Sequence, residues 1–111
     1  QPEQVVYRPG QQPEIGSNHV SLKLVGAGVK GRTMDILREV YAPGADTGPE
    51  MLQHEGQEGG IVIRGEIELT VGFEVYQLTA GDAYYFNSNR PHRFHNTSDQ
   101  ECEIISSNPS N

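Results

Sequence analysis

An all-β sandwich or barrel is the fold this sequence predicts, and three observations predict it. The 111-residue chain carries 13 Gly and 7 Pro, a density of turn formers that favours short elements. Several stretches alternate apolar and polar residues with period two, the pattern of half-buried strands. Only 34% of residues are hydrophobic and there is no Trp, so a large helical core is not expected. The length fits one domain.

The elements follow in order. Residues 1–19 read as a loose segment punctuated by Pro2, Pro9, Gly10, Pro13 and Gly16, with Val5-Val6-Tyr7 fitting a short edge strand. Residues 20–111 read as a single domain. Val20 to Val25 alternates, with Val20, Leu22 and Leu24 on one face and Ser21 and Lys23 on the other. Gly26, Gly28 and Gly31 make a turn. Thr33 to Tyr41 is a second strand, with Met34, Ile36, Arg38 and Val40 opposite Asp35, Leu37, Glu39 and Tyr41. Ala42 to Pro49 is a loop. Ile61-Val62-Ile63 is an apolar strand core closed by Gly65, and Glu66 to Val71 alternates again. Gly72-Phe73 joins it to Glu74–Leu78, and a two-residue loop with Gly first predicts a type II′ hairpin. Ala83 to Phe86, His92 to Asn96 and Cys102 to Ser106 complete about nine or ten strands. Closing such a sheet, or doubling it as a jelly roll, removes exposed edges.

Charge and composition exclude several functions. Lys plus Arg is 8 and Asp plus Glu is 15, a net charge of −7, so this chain is a poor DNA binder by itself. No apolar run approaches the ~18–20 residues of a membrane span. No charged segment leads into an apolar one as a signal peptide would. A lone cysteine, Cys102, fits a reducing, cytoplasmic setting. The chain starts at Gln1 rather than Met, as a processed product or a domain of a longer chain does.

The chemistry concentrates around the histidines. In His54-Glu55-Gly56-Gln57-Glu58 the glycines make a helix poor. On one straight strand the outer pair would stand roughly 13 Å apart at ~3.3 Å per residue, too far to share an ion. They converge only if Glu55-Gly56-Gln57 folds back as a turn, which Gly56 permits. His95 lies three residues from His92 and faces the other way on a strand. His19 reads as a loop residue. Arg64 and Arg93 are candidates to hold an anion, although exposed strand charges are the simpler reading, and Glu66 and Glu68 read as a solvated strand face.

Gly48 to Glu58, followed by six residues and Gly65, resembles the first of the two cupin motifs. Gly81, five residues, Asn87-Ser88-Asn89-Arg90-Pro91-His92, three residues and Asn96 resemble the second. The resemblance covers roughly Val20 to Ser106 and implies a double-stranded β-helix, the jelly-roll barrel of cupins. It departs from the pattern at three positions: the leading His of the first motif falls on Leu52, and the Pro and Gly of the second fall on Asn87 and Asn89. Carried over residue by residue, it implies three metal ligands, His54, Glu58 and His92. Two His and one carboxylate suit Fe, and also Zn, Ni or Mn. Leu52, Tyr84, Phe86 and Phe94 are then candidates to line a ligand pocket.

A finer likeness narrows the family. Tyr41-Ala42-Pro43-Gly44, Gly65-Glu66-Ile67-Glu68-Leu69, Leu78-Thr79-Ala80-Gly81-Asp82 and Arg90-Pro91-His92-Arg93-Phe94-His95-Asn96 look like the C-terminal cupin of bacterial helix-turn-helix regulators. That resemblance implies a domain that senses a small-molecule effector and forms a homodimer. DNA would then be contacted only by a separate helix-turn-helix domain, for which this chain has no pattern. The alternative is a non-heme metal enzyme, since the His-x3-Glu and distant His also resemble the iron site of an epoxidase that joins the same two domain types.

Overall fold

The computed structural model describes residues 3–110; Gln1, Pro2 and Asn111 lie outside it. Eight strands make up the described chain: β1 (Val20–Val25), β2 (Met34–Tyr41), β3 (Gln57–Arg64), β4 (Glu66–Val71), β5 (Glu74–Thr79), β6 (Ala83–Asn87), β7 (His92–His95) and β8 (Cys102–Pro109). They form two antiparallel sheets, one ordered β1-β2-β8-β3-β6 and the other β5-β4-β7. No helix among the described residues is long and apolar enough to cross a membrane. The predicted all-β double sheet is the observed architecture.

The core sits between the sheets and takes alternate residues from each strand. Ile67, Leu69 and Val71 of β4 meet Val62 of β3, Cys102 and Ile104 of β8 and Tyr41 of β2. Each such aliphatic side chain contributes roughly 1.5–3 kcal/mol by leaving water. At Gly72, φ is +61° while Phe73 keeps a negative φ, as a type II′ hairpin requires.

Two expectations are corrected. Val5-Val6-Tyr7 is not an edge strand; it has no ladder partner, and Val5 and Val6 are exposed. Beyond it the chain makes one 3₁₀ turn at Pro9–Gln11, and then Glu14 and Ser17 bridge to Lys23 and Val20. The strand expected at Ile61–Ile63 begins four residues earlier, at Gln57. Gly59 and Gly60 read as breakers but belong to the ladder, because β6 aromatics lie over them. A Cβ at Gly60 would stand 2.5 Å from the Tyr84 hydroxyl, and one at Gly59 would stand 3.1 Å from the Tyr85 ring.

Candidate functional site

His92 opens β7, and its side chain is fully buried beneath the five-stranded sheet. β7 pairs with β4 on one side, Val71 opposite His92. Its other side is closed by loops through the bridges Leu52↔His92 and Asp46↔His95. The two amides and carbonyls of Leu52 and His92 exchange hydrogen bonds of 2.7 and 2.9 Å. That brings the segment carrying His54 alongside. The chain then folds back at Glu55-Gly56, with φ of +103° at Gly56, and enters β3 with Glu58 pointing inward. The Gly56 carbonyl accepts from the Ser88 amide at 2.9 Å, and the His54 amide donates to the Ser88 carbonyl at 2.9 Å, which locks this turn onto the turn before β7.

The result is a cluster. His54 Nε2 and His92 Nε2 each lie 3.1 Å from Glu58 Oε1. Ligand atoms of all three residues lie within 4.8 Å of one another. The His54 ring meets the His92 ring edge-on at 5.3 Å, and Phe86 supports His92 from behind at 5.0 Å.

The protons are informative. His92 Nδ1 lies 2.8 Å from the Arg90 carbonyl oxygen, which can only accept. Nδ1 therefore carries a hydrogen, and in the neutral imidazole Nε2 keeps a lone pair. That lone pair sits 3.1 Å from a carboxylate oxygen, yet neither atom makes a hydrogen bond. In that form two buried acceptors face each other, an arrangement that a cation between them relieves. Metal–nitrogen and metal–oxygen bonds of about 2.1 Å place neighbouring ligands about 3.0 Å apart in an octahedron and about 3.4 Å in a tetrahedron. Both observed edges fall in that range. His54, Glu58 and His92 thus fit a divalent cation, with the Arg90 carbonyl orienting one imidazole.

The cluster opens into a cavity of about 760 Å³ between the sheets. Leu52 and Phe94 line it. Tyr84 and Phe86 do not; they pack behind the wall, with Tyr84 against Phe94 at 5.2 Å and against Phe86 at 5.9 Å. Gly60 leaves the slot that Tyr84 enters, and the buried Tyr84 hydroxyl has no hydrogen-bond partner. His95 lies outside the cluster, opposite Glu68. His19 sits in a loop at φ +69°. Arg64 is on the outer surface, paired with Glu101 and Glu103. Arg93 is occupied at the cavity rim, bound to Asp46 at 2.7 Å and to the Gly48 carbonyl at 2.9 Å.

Glu39 was not foreseen. It is buried in the cavity wall beside Leu37 and Tyr41. The Tyr41 hydroxyl donates to it at 2.9 Å, the Ser106 hydroxyl donates to its other oxygen, and Asn108 donates to Ser106 at 3.3 Å. Burial raises its carboxyl pKa above the usual range, the two hydroxyl donors oppose that, and the charge of Glu58 adds to the rise. The available signal was the period-two face that Glu39 shares with Leu37 and Tyr41: an acid among inward residues. Cys102 is buried in the core nearby, its thiol pushed up to about 11 chiefly by desolvation.

A two-sheet jelly roll with a 2-His-1-carboxylate cluster at the mouth of its cavity is the architecture of a cupin. The chain belongs to the Cupin_2 family of cupin domains, whose model matches residues 37–108. It is 46% identical over 103 residues to the HTH-type transcriptional regulator PuuR of Escherichia coli (strain K12), a match covering 93% of this chain and 55% of the relative. The chain thus spans about half the length of the curated relatives it matches. The crystal structure of the Cupin_2 domain of an XRE family transcriptional regulator from Enterobacter cloacae superposes with a TM-score of 0.71 at 25% identity, covering 81% of this chain and 95% of that one. An RmlC-like cupin from Shewanella frigidimarina superposes at 0.79 with 16% identity, covering 96% and 91%, a likeness of fold.

Proposed function

We propose that this chain is the small-molecule sensing domain of a cytoplasmic transcriptional regulator. The observation that carries the reading is the cavity joined to the His54-Glu58-His92 cluster, on a chain 46% identical to a regulator. An effector enters the cavity between the sheets and lies against Leu37, Leu52 and Phe94, within reach of the cluster. His54, Glu58 and His92 would hold a divalent metal, which would supply Lewis acidity toward an oxygen or nitrogen of the effector. This domain forms a homodimer, and DNA is contacted by a separate helix-turn-helix domain. Net charge of −7 keeps the sensing domain itself off the phosphate backbone.

An effector acts only by binding two states of the regulator unequally. The test is a thermal-shift screen of metabolites against tag-free protein with elemental analysis of its metal. Ligands that stabilise the wild type and fail on Leu37→Trp, which fills the cavity, support the reading. Hits unaffected by Leu37→Trp, or no hits with metal bound at unit stoichiometry and substrate turnover detected, would overturn it in favour of an enzyme.

A further inference from the structure

Residues 13–19 form a strap along β1, and the strap makes one wall of the cavity through Ile15, Gly16, Ser17 and Asn18. It runs antiparallel to β1, with Glu14 opposite Lys23 and Ser17 opposite Val20. Asn18 and His19 join the two at φ of +55° and +69°. Positive φ at both central residues marks a type I′ turn, which favours Gly at the second position, so His19 stands there under strain.

The ladder to β1 is half made. Ile15 donates to the Leu22 carbonyl at 2.8 Å, Leu24 to the Pro13 carbonyl at 3.1 Å and Val20 to the Ser17 carbonyl at 3.1 Å. Pro13 has no amide to return. An ideal antiparallel pair would give the Leu22 amide to the Ile15 carbonyl; here it goes to the Glu14 carboxylate at 2.6 Å. The same carboxylate accepts from the Ser21 hydroxyl, and from the Gly16 amide at 3.0 Å. One exposed side chain thus ties the strap to β1 twice and braces the strap's own backbone once. The Ser21 hydroxyl first, then the Gly16 and Leu22 amides, hold its carboxyl below the usual carboxylate range, so it stays ionised at neutral pH. Gly16 lets the strap lie this close, since a Cβ there would stand 2.2 Å from the Val20 carbonyl oxygen.

The cavity rim at residues 46–49 hangs on the other sheet. Thr47 donates to the Phe94 carbonyl at 3.1 Å, and its hydroxyl accepts from the Phe94 amide at 3.2 Å. β1 and β7 are both edge strands of their sheets. Among the described residues no hydrogen bond joins the strap to that rim, and residues 13–17 bond to no element but β1. The turn, by contrast, is pinned, because the Ala42 amide donates to the His19 carbonyl at 3.0 Å.

We propose that residues 13–17 are the gate of the cavity, peeling from β1 about the Asn18-His19 turn with Glu14 as the latch. This gives the entry route for the ligand of the reading above and rests on that reading for there being one. Few bonds, most of them exposed, and an Ile15 side chain 56% exposed place the strap at the low-stability end of the fold.

Labelling by N-ethylmaleimide, an uncharged thiol reagent, tests the gate in Val20→Cys, beside the turn, and in Phe94→Cys, on the cavity wall of the other sheet. Buried Cys102, present in every variant, reports global unfolding. Glu14→Ala is expected to speed labelling at both positions about tenfold, and His19→Gly to slow it about fivefold. Glu74→Ala, on β5, changes neither, and Cys102 labels at one rate throughout. Low urea hardly alters the rates, because peeling exposes little surface. Circular dichroism establishes folding, and if Phe94→Cys does not fold, Leu37→Cys on the β2 wall takes its place. Rates unmoved by Glu14→Ala, or rising steeply with urea, overturn the proposal. A response at Val20→Cys alone shows a fraying edge and overturns the gate. No effector enters the experiment, so a metabolite screen without hits refutes the sensing reading and leaves the gate standing.

Discussion

Glu39 makes stability depend on pH in a way that one substitution removes. The carboxyl is buried, and its partners are two hydroxyls rather than a cation. Burial raises its pKa in the folded chain above the ordinary value it has when unfolded. Between those two values the folded state holds a proton that the unfolded state has released. Stability therefore falls as pH rises through this window, by up to about 1.4 kcal/mol per pH unit for one proton. Below the window both states are protonated and the contribution is fully present; above it the contribution is lost. Glu39→Gln is nearly isosteric and keeps groups able to bond Tyr41 and Ser106, but does not titrate. The difference in stability, wild type minus Glu39→Gln, should step downward with rising pH, with that limiting slope. Urea unfolding in EDTA followed by far-ultraviolet circular dichroism, at intervals from pH 4 to 9, measures it. Parallel curves for the two proteins, or a difference that grows with pH, would refute the reasoning.

Further outcomes follow from the site and the fold. With metal at one hundred times its dissociation constant, binding adds about 2.7 kcal/mol, which raises the Tm of a domain this size by about 10 °C. Screening Fe²⁺, Zn²⁺, Ni²⁺ and Mn²⁺ by calorimetry should find such a shift, and His54→Ala, at a side chain 37% exposed, should abolish it without unfolding the apo chain. Gly65→Ala should cost more than about 2 kcal/mol in urea unfolding, since φ there is +79° and a Cβ would stand 2.3 Å from the Glu101 carbonyl oxygen. Asn96→Ala should cost about 2–4 kcal/mol: its buried amide donates to Tyr41, Ala42 and Gln100 carbonyls at 3.1, 3.3 and 2.7 Å and its oxygen accepts from Ser98, so truncation orphans several groups at once.

What was legible in the sequence follows from where one residue decides its own conformation. The alternation in Val20–Val25 and Glu66–Val71 registers burial on one face directly, and both became strands at those bounds. Gly72 announced its hairpin because a positive φ at the first loop position has few other solutions. The start of β3 was illegible because Gly59 and Gly60 are strand residues only by virtue of Tyr84 and Tyr85, which stand about 25 positions away. Val5-Val6-Tyr7 has strand-forming residues but no partner edge. In the site, the turn at Glu55-Gly56 could be inferred from the distance His54 and Glu58 must close. Glu39 was only half legible: the alternation groups it with Leu37 and Tyr41, but both faces of β2 mix apolar and charged residues, so the pattern does not say which one turns inward.

The same strands carry the cavity wall and the apolar outer face. Leu37 and Glu39 of β2 face the cavity while Ile36 and Arg38 face out; on β8, Ser106 points in and Ile105 out; on β3, Glu58 points in and Gly59 lies in the outer row. Period two makes these assignments inseparable, because a one-residue slip in any ladder would exchange the two surfaces. Only a single layer of backbone separates the hydrogen-bonded carboxylate at Glu39 from the ion pair at Arg38. A ligand that repacks Leu37 and Glu39 therefore strains the strand that positions Ile36 and Arg38. Coupling of the two surfaces needs no pathway across the domain, only a difference in how the one sheet is twisted with the cavity filled and empty. By linkage, if binding in the cavity changed binding at the outer face, binding at the outer face would change cavity binding by the same factor.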